Sequence, residues 1–225
     1  AWPGPLTLIV PRAAGVIDEV TGGRDTVGLR VPAHPVAQQL LERCGVALAA
    51  PSANRFGAVS PTTAHHVLSD LGERLDPRRA DILDGGACPM GVVSTNVDCA
   101  SSPPQLLRAG GIPLEDVERL LAGVVAGASG PSRASGMLAS HYAPRCAVRL
   151  VDSADDAAAL RAGTIGAEVL DLTDDLVTYA RELYSRLRDA DERGVKTLIA
   201  VLPPAYGLGH AVRDRLTKAA APRPT

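Results

Sequence analysis

Apolar residues in the first half of the chain fall into short runs that alternate with polar ones. Residues 6–10 read as a strand behind the turn Ala1-Trp2-Pro3-Gly4-Pro5. In 26–31 the alternation puts Val27, Leu29 and Val31 on one face and Thr26, Gly28 and Arg30 on the other. Residues 46–50 are continuously apolar and read as a short buried strand that Pro51 stops. Three further strands are predicted at 80–83, 92–98 and 105–108. Helical spacing predicts a helix over 35–43, with Val36, Leu40 and Leu41 inward and Cys44-Gly45 ending it. A second helix is expected from about 61 to 71, with Ser60 as N-cap and Pro61 at the first helical position. A third covers 115–121, with Val117, Leu120 and Leu121 apolar.

The pattern lapses over 123–140, which is rich in Gly, Ala and Ser and reads as a linker. It leads to His141-Tyr142-Ala143-Pro144, large polar groups that suggest contact with a ligand or a domain face. From Ala147 the order becomes strand, helix, strand, helix, strand, helix. The strands are 148–151, 164–170 (broken by Gly166) and 197–202; the helices are 154–161, 176–193 and 209–220. Such alternation predicts a small parallel α/β layer domain. The expected organisation is a first domain over 1–122, a linker over 123–146 and a second domain over 147–225.

Composition narrows the function classes. With 225 residues, 46% hydrophobic and 21% charged, the chain can bury a core of ordinary size. Aromatics are only 3%, so Ala, Val and Leu must build that core, and a base-stacking platform for single-stranded nucleic acid is not expected. A net charge of -2 and a pI near 6.2 argue against a generally basic nucleic-acid binder. The four cysteines, Cys44, Cys88, Cys99 and Cys146, form no C-x-x-C pair, which suits free thiols in a reducing cytosol better than zinc or disulfides. No apolar run reaches transmembrane length, so a cytoplasmic protein without a membrane partner is expected.

Candidate chemistry gathers at the turns. Pro51-Ser52-Ala53-Asn54 follows the expected strand 46–50, where open α/β sheets place ligands, and Ser60-Pro61 opens a helix whose free N–H groups suit phosphate. The loop reads either as a nucleotide cradle or as an ordinary strand–helix connection. Gly28 leaves room between Thr26 and Arg30 for a small anion; a solvated strand face is the other reading. His65 and His66 are adjacent on a helix, cannot chelate one metal together, and read as surface histidines. Gly207-Leu208-Gly209 lacks the third glycine of a phosphate loop and reads as a tight turn.

These pieces together resemble the threonylcarbamoyl-AMP synthase family in its two-domain form. The resemblance is carried by Pro3-Gly4-Pro5-Leu6-Thr7, by Asp25-Thr26-Val27 with Arg30-Val31-Pro32-Ala33-His34-Pro35, and by Ala50-Pro51-Ser52-Ala53-Asn54 and Ser60-Pro61-Thr62. It continues through Ser94-Thr95, Leu107-Arg108-Ala109-Gly110, His141-Tyr142-Ala143-Pro144, and Gly207-Leu208-Gly209 with Arg215-Leu216 and Lys218-Ala219-Ala220. It implies a YrdC-like twisted mixed sheet with helices, followed by a small Rossmann-like parallel α/β domain. Family members begin with a segment bearing a Lys-x-Arg motif that meets the nucleotide phosphates. That motif is not in this sequence, so an upstream segment is expected to complete the first domain.

The resemblance implies synthesis of threonylcarbamoyl-AMP and pyrophosphate from L-threonine, bicarbonate and ATP, with Mg2+ carried by the ATP phosphates. The product would feed threonylcarbamoyladenosine modification of tRNA, with tRNA or tRNA-modification proteins as partners. Arg30, Ala50 and Ser94 match the L-threonine contacts. Thr26, Ser52, Ser60, Arg108 and Tyr142 match the ATP contacts, with Asn54 as a further hydrogen-bonding partner. A guanidinium fork on Arg30 suits a carboxylate. Tyr142 would make the linker a lid over the nucleotide. No metal-ligating side chain is expected. Two other classes fit parts of the pattern: an RNA-binding module of YrdC-like fold, and a carbamoyltransferase of the hydrogenase-maturation type, which lacks the His-Tyr-Ala-Pro linker and the second domain.

Overall fold

The computed structural model describes residues 1–55, 57–123, 125–129 and 143–222. In chain order its elements are β1 (Leu6–Pro11), α1 (Asp18–Thr21), β2 (Thr26–Leu29), α2 (Pro35–Cys44), α3 (Ala64–Leu71), β3 (Thr95–Asp98), β4 (Gln105–Arg108), α4 (Leu114–Leu121), β5 (Ala126–Gly127), β6 (Ala147–Val151), α5 (Ala154–Ala162), β7 (Ala167–Leu170), α6 (Leu176–Glu192), β8 (Thr197–Val201) and α7 (Gly209–Ala220). The contacts among them divide the chain into two units. One combines Ala1–Pro51 with Val93–Met137; the other combines Ser52–Val92 with Leu138–Thr225. This is a different cut of the chain from the expected 1–122, 123–146 and 147–225, because 52–92 packs with the C-terminal region.

The first unit is a five-stranded mixed sheet in the order β2-β1-β3-β4-β5. β1 runs antiparallel to β2 and parallel to β3, with Ile9 opposite Gly28 and Thr7 opposite Asn96. Period-two alternation then sorts the side chains onto two faces. One face carries Leu6, Leu8, Val97 and Leu106, which pack with Val117, Val125, Ile112 and Leu114 into the core of this unit. The other face carries Thr7, Ile9, Gly28, Asn96 and, opposite Asn96 across a register shift, Arg108. α4 contributes its single buried residue, Val117, to the apolar face. β5 lies inside the expected linker: residues 126–127 form an edge strand parallel to β4.

Several expectations for this unit are revised. Residues 46–50 are coil, with Val46 63% and Leu48 43% exposed, instead of a buried strand. A strand needs a neighbour for its N–H and C=O groups, and no described strand pairs with this run. Within α2, Leu40 is exposed and no residue is buried, although the helix starts and stops as the sequence indicates: Pro35 opens it and Gly45, at φ 65°, ends it. Residues 80–83, which belong to the second unit, are likewise coil, with Leu83 exposed.

The second unit contains a parallel sheet in the order β6-β8-β7. Leu198, Ile199, Ala200 and Val201 of the central β8 are all buried, as expected for a strand covered on both faces. α6 buries Tyr179, Ala180, Leu183, Tyr184 and Leu187 at helical spacing, and Asp175 caps it by accepting from Val177 and Thr178 N–H. At the start of α7, a Cβ on Gly209 would lie 1.9 Å from the Pro204 carbonyl oxygen, so the Gly207-Leu208-Gly209 turn is a close-packed junction.

α3 starts three residues later than expected. Thr63, not Ser60, is its N-cap, and Thr63 Oγ1 accepts from His66 N–H at 3.2 Å. The residues before it are bonded elsewhere: the Ser60 carbonyl accepts from Arg188 Nε at 3.1 Å, and the Thr62 carbonyl accepts from Cys88 N–H at 2.8 Å. Ser60 and Pro61 therefore lie before the helix, and the phosphate-binding N-terminus expected there is absent at that position.

Candidate active site

In the first unit, a buried hydrogen-bond network occupies the polar face of the sheet. Arg108 ends β4 and is 8% exposed, and Ser94, one residue before β3, is 7% exposed. Arg108 Nε donates to the Ser94 carbonyl at 3.1 Å. Its Nη2 donates to Ser94 Oγ and to Asn96 Oδ1, each at 3.0 Å. Ser94 Oγ donates in turn to Asn96 Oδ1 at 3.2 Å and lies 2.8 Å from Thr7 Oγ1. With its one proton on Asn96, the Ser94 hydroxyl accepts from Thr7, so all four side chains are held in fixed orientation. Gly110 lets the following loop close on this network: a Cβ there would lie 2.4 Å from Ser94 C, Thr95 N and the Val93 carbonyl oxygen. Only glycine tolerates that approach.

Arg30 follows β2 and is exposed, with its Nε donating to the Gly4 carbonyl at 3.0 Å while Gly4 N–H donates to the Val31 carbonyl at 2.8 Å. The Pro3-Gly4-Pro5 turn thus anchors the arginine. Thr26 is half-buried and Ala50 is exposed. The open space expected above Gly28 is filled: a Cβ there would meet Ile9 Cδ1 at 3.3 Å and Thr7 Cγ2 at 3.4 Å. An anion site at Gly28 is not supported.

The second unit holds Ser52, Asn54 and Ser60. Ser52 is exposed, and Asn54 Nδ2 donates to the Arg55 and Ala58 carbonyls at 2.9 and 3.1 Å, closing the loop onto itself. Asn54 Oδ1 is buried and has no hydrogen-bond partner among the described residues. Arg188 of α6 reaches the far end of the loop, and Ala143 N–H donates to the Gly57 carbonyl at 3.0 Å. Tyr142 and His141 lie outside the described residues.

His66 is buried at 8% exposure, which overturns its reading as a surface histidine; His65 is exposed as expected. Thr62 N–H donates to His66 Nδ1 at 3.1 Å, so the ring is neutral with Nδ1 as acceptor. Thr62 Oγ1 bonds the same nitrogen at 3.1 Å and Ser185 Oγ at 2.9 Å. Burial, and then the neighbouring Arg188 charge, hold the imidazole below its ordinary value.

The structure thus brings Ser94 and Arg108 together with Thr7 and Asn96, while Arg30 follows β2, the strand paired with β1 that bears Thr7. Thr7 and Asn96 were missed by the sequence reading, yet strand alternation puts Asn96 beside Ser94 on one face and could have found it. Arg188 and the Thr62–His66–Ser185 chain carried no local signal.

Two family models match the chain: one described as Telomere recombination covers residues 1–110, and one described as Threonylcarbamoyl-AMP synthase, C-terminal domain, covers 112–221. The threonylcarbamoyl-AMP synthase of Pyrococcus abyssi is 39% identical over 248 aligned positions, spanning 99% of this chain and 72% of that protein. The corresponding protein of Bacillus subtilis is 36% identical over 250 positions, spanning 99% and 71%. The crystal structure of P. abyssi Sua5 complexed with L-threonine superposes with a TM-score of 0.86 at 36% identity, covering 97% of this chain and 71% of that one. The chain belongs to the two-domain Sua5 family of threonylcarbamoyl-AMP synthases.

Proposed function

We propose that the protein joins L-threonine, bicarbonate and MgATP into threonylcarbamoyl-AMP with release of pyrophosphate, for modification of tRNA. The observation that carries this reading is the likeness to named synthases over 99% of the chain. The arrangement of Arg30, Ser94 and Arg108 supports it. Arg30 is exposed beside the anchored Pro3-Gly4-Pro5 turn, where its guanidinium can receive the threonine carboxylate. Ser94, with Ala50, is assigned to the rest of the amino acid.

The chemistry needs positioning and charge stabilisation more than a protein nucleophile. The threonine amine adds to the carbon of bicarbonate-derived CO2 and loses a proton, giving a carbamate. A carbamate oxygen attacks the α-phosphorus of ATP, and the bond to the bridging oxygen of pyrophosphate breaks. Arg108, oriented by Ser94 and Asn96, supplies positive charge for the nucleotide. Thr26, Ser52, Ser60 and Asn54 are assigned to ATP, and Tyr142 to the same nucleotide. Magnesium enters with the ATP phosphates, since it keeps few protein ligands. Among the described residues no helix is long and apolar enough to cross a membrane.

The test is product formation. With ATP, L-threonine and bicarbonate, the protein should release pyrophosphate and form a threonylcarbamoyl adenylate visible by mass spectrometry. Pyrophosphate release that is unchanged when threonine is omitted would refute the assignment.

A further inference from the structure

The loop assigned to ATP is held by a helix more than a hundred residues further along the chain. Arg188 of α6 has a side chain only 11% exposed, and three of its nitrogens bind the 59–70 region. Nε donates to the Ser60 carbonyl at 3.1 Å and Nη2 to the Val59 carbonyl. Nη1 and Nη2 also bind the two oxygens of Asp70 at 3.2 and 2.6 Å. One guanidinium therefore fixes two successive carbonyls at the end of the loop and the carboxylate of α3 behind it.

Neighbouring positions on α6 contact this segment and Gly91. Ser185 bonds Thr62, and the Arg181 carbonyl lies where a Cβ on Gly91 would approach to 1.9 Å. Residues 181, 185 and 188 stand at i, i+4 and i+7 and so form one stripe of the helix. Arg181 and Gly91 meet by close backbone packing, whereas Arg188 and Ser185 make polar contacts, received by carbonyls, a hydroxyl and the Asp70 carboxylate. Such bonds depend on direction and distance, so they fix where the loop sits.

We propose that Arg188 is a positioning residue for the Val59–Ser60 end of the nucleotide loop: a residue of the C-terminal family model that sets the geometry of a substrate loop belonging to the N-terminal one. The proposal rests on the assignment of that loop to ATP. Arg188 touches no substrate in this account; it acts through the Val59 and Ser60 carbonyls.

Arginine and lysine separate this role from simple ion pairing. Arg188→Lys keeps a positive charge for Asp70 but lacks the planar fork that reaches two carbonyls and a carboxylate together. Asp70→Asn breaks the ion pair and leaves the carbonyl contacts. Calorimetric titrations of ATP and of L-threonine into the wild type and both variants, with thermal melts, provide the test. The expected result is an ATP Kd raised about tenfold in Arg188→Lys, with threonine affinity within about twofold of wild type. Asp70→Asn should lower the melting temperature while changing ATP affinity less than about twofold. Unchanged ATP affinity in Arg188→Lys, or an equal loss for ATP and threonine, overturns the proposal while wild-type ATP binding keeps the loop assignment. Absence of saturable ATP binding to the wild type overturns the loop assignment and this inference with it.

Discussion

Two regions assigned to substrates are built in opposite ways. In the sheet of the first unit, Ser94, Asn96 and Arg108 are neighbours on paired strands, and each orients the next. Their geometry follows from strand register. In the second unit, the loop bearing Ser52, Asn54 and Ser60 has its own internal bonds from Asn54, but its far end is fixed by Arg188 on a distant helix. The first region is preset by its own backbone; the second depends on the packing of a separate element. Loss of Arg108 from the sheet network should therefore cost far more than damage around the loop, which should grade function.

The largest effect is expected from Arg108→Ala. It removes the positive charge assigned to the nucleotide and strips Ser94 Oγ and Asn96 Oδ1 of a donor, so kcat/KM for pyrophosphate release should fall about 10³-fold. A loss below about tenfold would show that the network does not serve catalysis. Gly110→Ala should come next. Its Cβ would collide with backbone at 2.4 Å, so unfolding free energy from urea titration should drop by about 3 kcal/mol. Unaltered stability would mean that the 93–95 backbone yields more readily than a paired strand should. Ser94→Ala should weaken threonine binding about tenfold by calorimetry and leave the fold intact.

The smallest expected effect concerns the loop side. His66 is held neutral, with a folded-state value below that of the unfolded chain. Its contribution to stability is full above the ordinary histidine value, and it declines as pH falls through that value toward the lowered one. Wild-type urea midpoints should drop between about pH 7.5 and about pH 5 more than those of His66→Asn, which keeps an acceptor for Thr62 N–H. Equal acid sensitivity would show that His66 does not contribute.

The same contrast explains what could be read from the sequence. The three strands and three helices from β6 onward were legible because each apolar period matches a partner in the same stretch of chain. The strands over 6–10 and 105–108 formed where their apolar runs indicated, whereas 26–31 is a strand only as far as Leu29, and its apolar positions Leu29 and Val31 are exposed. The run 46–50 was misread because apolarity does not provide a strand with a neighbour. α3 was misplaced because Ser60-Pro61 is a good helix start locally, whereas its carbonyl is taken by Arg188, a bond with no trace in nearby residues. Arg30 was singled out by the strand pattern and the family motif together, Ser94 and Arg108 by family motifs alone. Asn96 followed only once the register placed it between the last two.

Arg30 tests the account most directly, because it is exposed and its loss should spare the fold. L-Threonine should bind the wild type saturably in calorimetry, and Arg30→Ala should weaken that binding at least about tenfold while leaving ATP affinity unchanged. Equal threonine affinity in the two proteins would contradict the assignment of the amino acid to this face of the sheet.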